Sequence, residues 1–220
     1  MTDNKAKELM EQGWKAREEL DFEKADKLLK EARVLFEKEK DWFNVTEAIN
    51  HLAYSEKLKA VHHNLQGLHL AKGAEKIAND HSVRKHLVLR ALMSLANSAG
   101  NFEAALKYGE EALKFYDKPL PRADILSHIA TFQLRTGKMS KAEKTIEEAM
   151  KLCEEGFSLE SEPHRSIWKS KILLTKGLIL YNKGELDGAK ELGQEALKLA
   201  ESQDLKTRIE EIKKFLELFD

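Results

Sequence analysis

The chain has 220 residues, with 37 Lys plus Arg against 38 Asp plus Glu, 42% hydrophobic and 34% charged residues. A net charge of −1 lacks the basic excess with which proteins grip nucleic-acid phosphates, and a single cysteine, Cys153, excludes an intrachain disulfide. Three Pro and eleven Gly favour an all-helical chain, because both residues are poor in helix interiors.

The start, Met1-Thr2-Asp3-Asn4-Lys5, opens into a charged helix without an apolar signal core. No apolar stretch approaches the roughly 20 residues needed to cross a bilayer. The expectation is a soluble cytoplasmic protein with no membrane contact.

The first helix is expected from about Asp3 to Glu19, with Leu9, Gly13, Ala16 and Leu20 on one face. Asp21 reads as the N-cap of a second helix carrying Phe22, Ala25, Leu28, Leu29, Ala32 and Phe36 inward. Asp41 opens a third, with Trp42, Val45, Ile49, Leu52, Ala53 and Leu58 on its apolar side. A fourth is expected from Asn64 to Asn79, after a turn at His62-His63.

Ser82 reads as the cap of a fifth helix holding Leu89, Leu92, Met93 and Ala96, which Gly100-Asn101 ends. The sixth runs from Phe102 to Tyr116. Pro119 and Pro121 mark a linker before a seventh, from Arg122 to Thr136, stopped by Gly137. The eighth covers Met139 to Glu155, followed by the longest loop, 156–161. Ser161 and Pro163 signal the start of a ninth helix, near 20 residues long, that ends at Lys183-Gly184. A tenth spans Leu186 to Glu201. The last follows Asp204 with Leu205, Ile209, Ile212, Leu216 and Phe219 as its stripe.

One spacing recurs through these helices. An apolar residue is followed by Ala three and ten positions on, at Phe22/Ala25/Ala32, Phe102/Ala105/Ala112, Met139/Ala142/Ala149 and Leu186/Ala189/Ala196. A degenerate copy has Asn64, Gly67 and Ala74. The steps between copies are 42, 38, 37 and 47 residues, the period of a helical solenoid whose units bury their faces only by stacking. The expected fold is all-α, a single domain over 1–220 with repeats at 3–40, 41–80, 82–118, 120–156 and 162–202. A helix at 204–219 caps the array.

Gly100-Asn101-Phe102-Glu103-Ala104-Ala105 and Gly184-Glu185-Leu186-Asp187-Gly188-Ala189 resemble the inter-helix turn of the tetratricopeptide repeat family. The small residue the family prefers nine positions earlier is matched by Gly13, Ala130 and Gly177, while Ser55 and Met93 depart from it. The long units are similar to its extended-helix members. The resemblance implies a right-handed superhelical solenoid of about five antiparallel helix pairs plus a capping helix. It also implies a non-enzymatic adaptor or scaffold that binds with the face lined by the first helix of each pair. On that face lie Arg90, Ser94 and Asn97, then Ser127, Thr131 and Arg135, then Lys171, Leu174, Leu178 and Tyr181. A groove of this kind suits an extended peptide of acidic character, with Asn97 bonding its backbone and arginines pairing its carboxylates.

Chemistry-bearing motifs are absent from the sequence. His62 and His69 stand two helical turns apart, no His-Glu-x-x-His occurs, and Cys153 has no partner cysteine, so no metal, cofactor or catalytic residue is expected. Cys153 reads as a small core residue. Trp14, Trp42 and Trp168 read as packing anchors, Trp14 alternatively facing the groove. The stripe of the last helix admits a second reading, docking another copy of the chain, so both a monomer and a homodimer stay open.

Overall fold

The computed structural model describes residues 2–81 and 83–219, with backbone only for residues 2–4. Ser82, read as a helix cap, lies outside the described residues. The fold is all-α. Ten α-helices are described: α1 (Thr2–Glu18), α2 (Phe22–Glu39), α3 (Trp42–His81), α4 (Lys85–Ser98), α5 (Phe102–Leu113), α6 (Pro119–Arg135), α7 (Met139–Gly156), α8 (His164–Lys183), α9 (Leu186–Ser202) and α10 (Lys206–Leu216). Short 3-10 turns follow α7 and α10. Helices adjacent in sequence pack as pairs, α1 with α2, α4 with α5, α6 with α7 and α8 with α9, and α10 lies against α8 and α9. Sequential pairing of this kind is the arrangement of a helical repeat.

All eight alanines of the recurring spacing are 0% exposed. At these positions the second helix of each pair presents only a methyl group, so paired backbones approach closely and the flanking larger residues fill the space beside them. The small residue on the opposite helix serves the same end. A Cβ on Gly13 would stand 2.8 Å from Leu29 Cγ, and one on Gly177 would stand 3.2 Å from the Ala189 carbonyl. The departures have local compensation. Ser55 is fully buried and donates its hydroxyl to Asp26. Met93 fits because its partner is Gly109, where a Cβ would meet the Met93 sulfur at 3.2 Å.

Two compact units divide the chain at Gly67/Leu68. In the first, Ala6, Ala32, Phe36 and Val45 form the core. Asp26 of α2 accepts from Ser55 and pairs with Lys59, both on α3. The second unit holds the two larger cores. One centres on α6, with Ile125, Ile129, Phe132 and Ile146. The other joins α8, α9 and α10 through Leu173, Ala189, Ala196, Ile212 and Phe215.

Helix ends follow the capping chemistry. The Asp21 carboxylate accepts from the Lys24 N–H at 3.2 Å, Asp41 accepts from Asn44 at 3.2 Å, and Asn101 accepts from Ala104 at 3.0 Å. Gly100 and Gly184 take the left-handed conformation, with φ of 75° and 82°, which costs glycine nothing.

Several expectations need correction. The third and fourth expected helices are one helix of 40 residues, so the turn at His62-His63 does not exist and repeat two is not a helix pair. Nothing between Asp41 and His81 stops a helix: no proline intervenes, and Gly67 and Gly73 each cost only about 1 kcal/mol. Pro119 and Pro121 are not a linker but the first turn of α6, where a missing N–H forfeits no helical bond. Just before α8, the Glu162 carboxylate accepts from the Ser166 N–H at 3.3 Å and from the Ser166 hydroxyl at 2.9 Å. Trp14 and Trp42 are 43% and 64% exposed and anchor no core. Trp168 alone of the three packs against one.

Candidate functional site

Within the second unit the first helices of the pairs are linked side by side. Arg90 on α4 reaches α6, where its Nη2 lies 2.7 Å from Asp124 Oδ2. One helical turn on, His128 Nε2 lies 3.8 Å from the other Asp124 oxygen. Thr131 of α6 and Thr175 of α8 meet at 3.4 Å. On α8, Lys171 Nζ lies 2.9 Å from Glu211 Oε1 of α10, and Arg208 closes on the other Glu211 oxygen.

The result is one ionic wall across α4, α6, α8 and α10, with three cations, Arg90, Lys171 and Arg208, against two carboxylates, Asp124 and Glu211. Its centre is deeply placed. The Asp124 side chain is 3% exposed and that of Lys171 11%. Burial draws the Lys171 ammonium below the ordinary lysine value against the pull of Glu211. Burial also pulls His128 down to about 4, with Lys171, Arg90 and Arg208 acting in the same direction and Asp124 opposing. Burial raises Glu211, but Lys171 and Arg208 prevail and hold it below the usual carboxylate value.

The residues expected to line a groove fall into two groups. Arg135 is exposed at the end of α6, donates to Asn97 Oδ1 of α4 at 2.8 Å, and lies 5.2 Å from the centroid of the Phe102 ring. Ser94, one turn before Asn97, is also exposed. These three share one surface with Arg90, whose side chain is 34% exposed. The others are turned to structural use. The Ser127 hydroxyl is fully buried and donates to the Asp124 carbonyl at 2.7 Å. Thr131 donates to the Ser127 carbonyl at 3.0 Å. Lys171 is held by Glu211. Tyr181 stacks edge-on against Phe219, with ring centroids 5.4 Å apart, and Leu174 is 1% exposed.

The sequence does not point to Asp124, His128 or Arg208, and it reads Glu211 with Glu210, Lys213, Lys214 and Glu217 as the solvated outer face of the last helix, whereas Glu211 pairs with Lys171 and Arg208. The signal for the first was legible: a carboxylate flanked by Leu120, Ala123, Ile125, Leu126 and Ile129, with His128 one turn away, requires a buried cation to compensate it. Arg208 and Glu211 carry no such mark, because they look like the solvated face of a terminal helix.

Among the described residues no group of three or more His, Cys, Asp or Glu side chains is placed to hold a metal ion. Cys153 is 3% exposed and part of the α6 core.

Paired helices with methyl-sized crossings define the chain as a helical-repeat protein with a charged wall on its first helices. No family model matches the sequence, and no curated protein matches it. Among solved structures it is similar to NprR, crystallised in complex with its cognate peptide NprX, at 16% identity and a TM-score of 0.49. That alignment covers 98% of this chain and 62% of the other, so the chain spans less than two thirds of the length of NprR. No helix among the described residues is long and apolar enough to cross a membrane.

Proposed function

We propose that the chain is a non-enzymatic protein–protein interaction module, an adaptor or scaffold, that takes an extended acidic peptide at the exposed end of the wall, across α4 and α6. The observation that carries this reading is the surplus of one cation in the wall, three against two, beside an exposed Arg135–Asn97 pair. A guest carboxylate completes the charge balance. The Asn97 amide supplies hydrogen bonds to a peptide backbone, and Arg135 already holds the planar orientation that a bidentate carboxylate contact needs.

Self-association through the last helix has less support. Ile212 is 0% exposed and Phe215 5%, their stripe spent against α8 and α9, as a cap requires.

The test uses Arg135 alone, because Arg90 is committed to Asp124 and its reversal to Glu would set two carboxylates together. A random peptide library displayed on phage and panned on the full chain should enrich Asp- and Glu-rich sequences. Arg135→Glu should weaken the enriched peptides roughly tenfold or more with an unchanged helical circular dichroism spectrum. Equal binding by the two proteins removes this wall from the reading.

A further inference from the structure

A cavity of about 380 Å³ opens between α7, the 3-10 turn that follows it, α8 and α9. Its size falls within the roughly 300–1,000 Å³ of small-molecule sites. It shares no residue with the wall described above.

The interior is apolar. Met150, Leu173 and Leu192 line it together with Cys153, whose thiol is pushed up to about 11 by burial and so stays uncharged. The mouth is charged and unbalanced. Lys169 Nζ lies 3.1 Å from Glu195 Oε1 and 5.2 Å from the centroid of the Phe157 ring. Glu154 stands on the same rim as a second carboxylate. Arg165 also lies 5.2 Å from the centroid of the Phe157 ring but is paired with Glu162 at 2.6 Å, so at the mouth one ammonium faces two carboxylates. A guest with an anionic end adds to the excess negative charge. A guest with a cationic end relieves it while its hydrocarbon displaces water from the apolar interior.

We propose that this cavity binds a small primary alkylammonium, its chain on Met150, Leu173 and Leu192 and its head between Glu154 and Glu195.

The chain has five methionines, so protein labelled with methyl-¹³C methionine gives a sparse spectrum in which Met150→Leu assigns the reporter. Hexylammonium, 1-hexanol and hexanoate are titrated in turn. The proposal expects a saturable shift of the Met150 methyl with hexylammonium, roughly tenfold tighter than with hexanol, and weaker binding still of hexanoate. Glu154→Gln combined with Glu195→Gln should bring hexylammonium down to the affinity of hexanol. Leu192→Trp, which fills the cavity, should abolish the shift. An unmoved Met150 methyl, equal affinity for the three probes, or a preference that survives the paired glutamines would each overturn the proposal.

Discussion

Arg90→Met should destabilise the chain by about 3–5 kcal/mol, although the residue lies on what the sequence presents as a binding face. The cause is asymmetry within the pair. Arg90 keeps 34% of its side-chain surface and Asp124 keeps 3%. Removing the guanidinium strands a carboxylate that cannot reach water, and its other neighbour, His128, is uncharged at neutral pH. The reciprocal change, Asp124→Asn, leaves an arginine able to swing outward, and should cost about 1–3 kcal/mol. Replacing both at once, Arg90→Met with Asp124→Leu, should recover most of the loss, since a buried pair exchanged for packed apolar groups is near neutral. Urea denaturation followed by circular dichroism measures all three. Equal costs for the two single variants, or a double variant as unstable as Arg90→Met, would show that the pair is not what holds α4 to α6.

The same network sets an acid limit. The His128 value falls from 6.5 to about 4 in the folded chain, mainly through burial. Above pH 6.5 the ring is neutral folded or unfolded and costs nothing. As pH drops through 6.5 the unfolded chain takes the proton first, so stability is lost progressively until about pH 4, where the folded chain takes it too. The loss between pH 7 and pH 5 is about 2 kcal/mol at most, an upper bound because the ring keeps 26% of its surface open. His128→Gln should remove this slope. Arg90→Met should flatten it as well, because His128 then loses a repelling cation and keeps Asp124. Urea midpoints at the two pH values decide the matter. Parallel losses in the parent and in His128→Gln would assign the acid sensitivity to other groups.

The repeat was legible because its physical requirement is narrow. A crossing of two backbones tolerates only the smallest side chains, so Ala25, Ala32, Ala105, Ala112, Ala142, Ala149, Ala189 and Ala196 stand out at fixed spacing, and all eight are fully buried. Caps were legible for the same reason, since Asp21 and Asn101 do work that few side chains can do. The long α3 was not. An apolar pattern with a degenerate copy suggests two helices, yet a helix ends only where something ends it, and His62-His63-Asn64 contains no such residue. The site was half legible. Position on the first helix named Asn97 and Arg135, which share a hydrogen bond, and Arg90, which pairs with Asp124. It gave no means of telling a side chain offered to a guest from one consumed by a neighbour, which depends on residues 34 to 40 positions away.

A guest bound as proposed should seat on the exposed end of the α4–α6 wall. An amide ¹H–¹⁵N titration of the full chain with a peptide enriched by panning tests it most directly. Saturable shifts are expected at Ser94, Asn97 and Arg135 and their neighbours on α4 and α6, with the outer helices α5, α7 and α9 unmoved. Shifts confined to those outer helices would contradict it.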